Sequence, residues 1–143
     1  MTPQRVTLIT LGVEDLDRSR TFYEALGWTP AEALPEVVFY QMNGLVLGLF
    51  GKAHLATDQG RPDAALGTGA ITLAQNFVTE AEVDAAFSTA LAAGATALKH
   101  PEKVFWGGYS GYYADPDGHV WEVAMNPFWP LAEDGSLTLP ETP

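Results

Sequence analysis

Residues 6–13 alternate: Ile9, Leu11 and Val13 fall on one face and Val6, Leu8 and Thr10 on the other, as a half-buried strand requires. A helix over about 16–26 follows, with Asp15 at its N-cap and an apolar face of Leu16, Phe22, Tyr23 and Leu26. Gly27 stands where a helix end accepts a left-handed backbone. Two apolar runs, Val37 to Met42 and Leu45 to Phe50, then flank Asn43-Gly44, a pair favoured in two-residue hairpin turns. From 51 to 68 the chain is polar, contains glycine and shows no period, so it reads as a linker that could also gate a ligand.

The pattern then starts again. A strand over about 68–77 leads into Thr79-Glu80-Ala81-Glu82, a capping-box signature, and a helix whose apolar face is Val83, Phe87 and Leu91 and which ends at Gly94. A short strand near Ala97 to His100 is interrupted by Pro101. Tyr109 to Ala114 and Val120 to Met125 bracket the turn Asp115-Pro116-Asp117-Gly118. Gly44 to Phe50 and Gly118 to Ala124 echo each other, as do Ile9-Thr10-Leu11-Gly12 and Ile71-Thr72-Leu73-Ala74. The repeat unit is therefore strand, helix, strands, used twice.

The turns fix side-chain directions. Asn43-Gly44 pairs Phe39 with Gly48, which puts Val37, Phe39, Gln41, Val46, Gly48 and Phe50 on one face. A type I turn closed by a left-handed Gly118 sets Asp115 opposite His119 and Tyr112 opposite Glu122. Ser110, Tyr112, Val120, Glu122 and Ala124 then share a face, while Tyr113, Trp121 and Val123 turn toward the second helix. Phe22, Tyr23, Phe87, Tyr113 and Trp121 are assigned to the core.

At 143 residues the chain has the length of one domain, 1–143, divided into a first module (about 5–51), a linker (about 52–67), a second module (about 68–126) and a tail (127–143). The tail from Leu131 is acidic and proline-rich and is expected on the surface or against a partner. A net charge of −11 repels nucleic acid and anionic lipid, so neither is expected as a partner. Without cysteine there is no disulfide, thiolate ligand or cysteine nucleophile. No basic-then-apolar leader or spanning-length apolar run is present, which points to a soluble, cytoplasmic protein.

Leu11 to Ser19, Phe22-Tyr23, Leu26-Gly27 and above all Asp115-Pro116-Asp117-Gly118-His119 leading to Glu122 resemble the vicinal oxygen chelate superfamily of glyoxalases, bleomycin-resistance proteins and extradiol dioxygenases. The resemblance covers the chain to about Asn126. It implies an α+β fold in which two βαβββ modules form a curled mixed sheet around an open cleft, in a homodimer. Metal-dependent members hold a divalent ion with side chains from four equivalent strand positions. Mapped here, those positions hold Leu8, Gly48, Ala70 and Glu122. Glu122 alone carries a donor, and one carboxylate does not complete a divalent-ion shell. His54, His100 and His119 offer no substitute, since His54 lies in the linker, His100 precedes a proline and His119 leaves a turn, where a polar residue is expected to hydrogen-bond or face solvent.

No cofactor or metal is therefore expected. The expected ligand site comprises Leu8, Phe39, Gly48, Phe50, Ala70, Trp106, Tyr112 and Glu122, an apolar and aromatic surface with one carboxylate. Phe128 and Trp129 are candidates for its rim or for a subunit contact, and Trp106 precedes Gly107-Gly108, where backbone can approach a ligand closely. The first functional expectation is metal-independent binding of an apolar or aromatic small molecule, for sequestration or resistance. The alternative is a metal-free lyase or isomerase in which Glu122 is a general base and Tyr112 polarises the oxygen that gains charge. A metal-dependent glyoxalase or extradiol dioxygenase stands third. No phosphate-cradling glycine loop or nucleophile elbow supports another enzyme class.

Overall fold

The computed structural model describes residues 1–141; the last two residues of the tail lie outside them. The chain forms two compact units, Met1–Gly67 and Thr68–Pro143. Each holds a four-stranded mixed sheet with a helix packed on it, the βαβββ arrangement of an α+β protein.

In the first unit β1 (Leu8–Val13) leads into α1 (Leu16–Ala25), followed by β2 (Glu32–Ala33), β3 (Val37–Gln41) and β4 (Val46–Gly51). The sheet order is β1-β4-β3-β2, with β1 and β4 parallel and the rest antiparallel. Asp15 caps α1 by accepting the Arg18 N–H at 3.1 Å, and Gly27 follows the helix with φ 97°. The core consists of Leu11, Val13, Phe22, Tyr23, Val38, Tyr40, Leu47 and Leu49, all buried. Tyr23 stacks on Trp28 with ring centroids 5.2 Å apart, which seats the chain leaving α1.

The segment after β4 is not an irregular linker. Residues Lys52–Asp58 form a helix, α2, with no side-chain N-cap. It is held by tertiary packing: Leu55 and the Lys52 stem lie against Gly12, each 3.2 Å from where a Cβ would stand. Residues beyond α2 fold back on it through Arg61 N–H to Ala56 O at 2.8 Å.

The second unit repeats the order with β5 (Thr72–Phe77), α3 (Glu80–Ala93), β6 (Thr96–Lys103), β7 (Tyr109–Ala114) and β8 (Val120–Met125), arranged β5-β8-β7-β6. Thr79 Oγ1 accepts the Glu82 N–H at 3.1 Å, the Glu82 carboxylate accepts from Val78 N–H at 3.4 Å, one residue before the N-cap, and Gly94 ends α3 with φ 114°. Val83, Phe87, Tyr113, Trp121 and Val123 fill the space between α3 and the sheet. β6 does not stop at Pro101. It continues to Lys103 as an edge strand, with irregular register between Ala97 and Lys99 and between Lys99 and Glu102.

Candidate functional site

In the first unit the hairpin turn sets the geometry. Met42 N–H donates to Leu45 O at 2.9 Å, Gly44 takes φ 77°, and the register pairs Phe39 with Gly48 and Gln41 with Val46. β1 adds Leu8 opposite Val46 and Thr10 opposite Gly48. Leu8, Thr10, Phe39, Gln41, Val46, Gly48 and Phe50 therefore share the sheet face turned away from α1. On that face lies a cavity of about 360 Å3 lined by Thr7, Leu8, Ala31, Glu32, Phe39, Gln41 and Val46. Its surface is chiefly apolar, and Glu32, opposite Phe39 on β2, is the one charged side chain in the lining among the described residues. Gln41 turns its amide nitrogen inward to Met42 O at 2.9 Å. Of the residues expected from sequence, Leu8 and Phe39 line this cavity; Gly48 adjoins Phe39, and Phe50 lies farther along the same face. Glu32, Gln41 and Thr7 were not singled out, although the alternation of the hairpin already placed Gln41 on this face.

The position of Gly48 is crowded. A Cβ there would lie 3.2 Å and 3.3 Å from two carbons of the Phe39 ring and 3.4 Å from Thr10 Oγ1. Space that a longer donor side chain would enter is thus taken by an aromatic ring.

In the second unit Gly118 N–H donates to Asp115 O at 3.0 Å, Gly118 takes φ 91°, and Asp115 N–H donates to His119 O at 2.9 Å. This turn sets the register that pairs Tyr112 with Glu122. The row across the sheet runs Lys99, Tyr112, Glu122, Ala74. Tyr112 and Glu122 face each other across β7 and β8; burial first, and then the neighbouring Glu122 carboxylate, push the phenol above its ordinary value. Tyr112 therefore stays protonated at neutral pH as a donor. Lys99 is drawn instead to Glu102, 3.2 Å away.

Register also locates the remaining ligand position. Thr10 faces Gly48 on β4 and Ala74 faces Glu122 on β8, so the counterpart of Leu8, two residues before Thr10, is Thr72; Ala70 lies ahead of β5. Neither alanine nor threonine supplies the imidazole or carboxylate of such a site. Trp106 sits in the β6–β7 turn with its ring folded over Gly108 in the space a Cβ would take, while Phe128 covers Gly107, 3.0 Å from its Cβ position. Phe128 and Trp129 are exposed.

The three histidines are scattered in role. His54 is exposed on α2, 3.6 Å from Glu36, and His100 packs its ring 5.2 Å from that of Phe87. His119 is buried in the turn, where its backbone N–H donates to the buried Asp115 carboxylate at 2.9 Å, the hydrogen-bonded one of its two expected placements. Among the described residues no three His, Cys, Asp or Glu side chains group as a metal shell. The residues at the family's metal positions do not fit a divalent ion.

The model of the Glyoxalase/Bleomycin resistance protein/Dioxygenase superfamily matches residues 5–123. The chain belongs to that superfamily. A glyoxalase-related enzyme from Fulvimarina pelagi is 43% identical over 96% of this chain and 99% of its own, with a TM-score of 0.90. Lactoylglutathione lyase from Agrobacterium tumefaciens is 26% identical over 90% and 98%, with a TM-score of 0.67. A superfamily enzyme from Burkholderia phytofirmans, 20% identical over 83% and 96% with a TM-score of 0.72, shares the fold. A comparison with curated proteins gives no match. Among the described residues no helix is long and apolar enough to cross a membrane.

Proposed function

We propose that this superfamily member binds an apolar or aromatic small molecule without a metal, acting as a homodimer. The observation that carries the reading is the Phe39 ring over Gly48, which replaces a donor position by an apolar surface continuous with Leu8 and Val46. Burial of flat apolar area against such a floor is worth about 25 cal/mol per Å2. The test is titration of the purified full chain, treated with chelator, with a panel of aromatic compounds, followed by fluorescence and by product analysis. Retained affinity after chelation, with the ligand recovered unchanged, supports the reading. Affinity that disappears with chelation and returns with added zinc ends it.

A second reading is favoured by the cross-strand pairing of Tyr112 with Glu122 and by the enzyme named for the relative from Fulvimarina pelagi. In it Glu122 accepts a proton from an acidic C–H of the ligand, and the Tyr112 O–H donates to the oxygen on which the electron pair settles. The bond made is carboxyl O–H and the bond broken is C–H; returning the proton to a neighbouring carbon completes an isomerisation. Turnover of a ligand by the native chain and its loss in Glu122→Gln with binding retained distinguish this reading from sequestration.

A further inference from the structure

We propose that the first unit carries a second binding site, for a free α-amino acid with a small apolar side chain, in the cavity between α2 and the segment that follows it. This cavity measures about 440 Å3, room for about fifteen waters' share of liquid volume. It lies apart from the pocket on Phe39, with which it shares no lining residue.

Its chemistry has two poles. The Lys52 stem lies over Gly12 and the side chain is 21% exposed, and both Lys52 and the more exposed Glu14 line the cavity. Among the described residues the ammonium meets one carboxylate, Glu14, at 3.5 Å, well beyond the 2.7–2.9 Å typical of a charge-assisted hydrogen bond. An ammonium with three donors and one counter-ion at 3.5 Å has hydrogen-bonding capacity for a ligand carboxylate. Asp63 adds a second carboxylate to the lining. A simple anion would be opposed by Glu14 and Asp63, and a simple cation by Lys52. A zwitterion satisfies both, because one carbon holds its ammonium and carboxylate a short distance apart, comparable to the spacing of Lys52 and Glu14.

The remaining wall selects the side chain. Ala53, Ala56, Ala64 and Leu66 offer small apolar surface, suited to a short aliphatic group. The wall is built rather than loose. Arg61 N–H bonds to Ala56 O at 2.8 Å, Ala64 N–H to Arg61 O at 3.0 Å, and Asp63 holds φ 68°, a left-handed conformation that a non-glycine residue seldom adopts.

The experiment is an amide-shift titration of the isotope-labelled full chain with each of the twenty α-amino acids, and with isovalerate and isobutylamine, which are L-valine lacking its ammonium or its carboxylate. Saturable shifts confined to residues 52–58 and 62–66 are expected for small aliphatic amino acids at millimolar concentration, with both truncated analogues at least tenfold weaker. Lys52→Met, which keeps the stem against Gly12, is expected to weaken binding more than tenfold. The proposal is overturned if no amino acid shifts these residues, if isovalerate or isobutylamine binds as well as L-valine, or if a folded Lys52→Met binds undiminished. Should that variant not fold, the comparison of L-valine with its two analogues on the native chain decides alone. Because the shifts are read on α2 and its following segment, failure here leaves the binding of aromatic compounds on Phe39 untouched.

Discussion

The Phe39 ring and the Gly48 backbone share one space: a methyl group added at 48 would lie 3.2 Å from the ring edge. Because Phe39 is only half-buried, its ring can tilt away, so Gly48→Ala is expected to cost less than about 1 kcal/mol in denaturant unfolding. The same tilt deforms the floor of the pocket. Affinity for an aromatic ligand should fall several-fold, read by fluorescence titration, while the far-ultraviolet circular dichroism stays unchanged. Gly48→Glu should acquire no zinc affinity measurable by calorimetry, since no imidazole or thiolate stands among the described pocket-lining residues to complete a zinc shell.

Gly111 shows the opposite case, in which nothing can give. A Cβ there would stand 2.8 Å from Pro101 N and 2.9 Å from Lys99 O, both backbone atoms of the bulged β6. Gly111→Ala is expected to destabilise by at least about 1–3 kcal/mol in urea unfolding. Gly67→Ala, at a site with no atom within 4 Å, should be neutral or slightly stabilising in the same assay.

Removing the charge of Glu122 while keeping its shape should be legible in Tyr112. Glu122→Gln removes the carboxylate that raises the phenol, leaving burial as the main cause. The tyrosine titration followed by ultraviolet absorbance should then show one phenol moving down toward its ordinary value. If the lyase or isomerase reading holds, the same variant loses at least about a hundredfold in turnover, the range general-base catalysis supplies.

Tyr40 supplies a pH dependence of stability. It is 1% exposed, its hydroxyl is buried with no hydrogen-bond partner among the described residues, and burial first and Glu24 second push its pKa up to about 12. The folded state therefore favours the protonated phenol more than the unfolded chain does. This contribution is fully present below about pH 10, the ordinary phenol value, and is lost as pH rises toward about 12. Thermal unfolding between pH 9 and 12 should show a falling midpoint, and Tyr40→Phe should flatten part of that fall.

Where a turn dictates register, the chain could be read from its letters. Asn43-Gly44 and the Asp115–Gly118 turn leave one pairing each, and Phe39–Gly48 and Tyr112–Glu122 follow from counting residues. The helix over Lys52–Asp58 could not be read this way, since no side chain caps it and its stability comes from packing Leu55 and the Lys52 stem on Gly12, far away in sequence. Ala70 and Thr72 illustrate a subtler failure. Similarity between the halves aligns Ala70 with Leu8, but hydrogen-bond register, which alone fixes what lies opposite what, advances the match by two residues. His119 and Glu32 depend on burial and on a two-residue strand, neither of which leaves a periodic trace.

The outermost strand of the second sheet is kinked twice, carries a proline, and displays Lys99, Glu102 and Lys103. Such a border offers a stray chain neither a straight row of amides and carbonyls nor an uncharged margin to align with. The irregularity that forces Gly111 to remain without a side chain thereby also guards the protein against clumping.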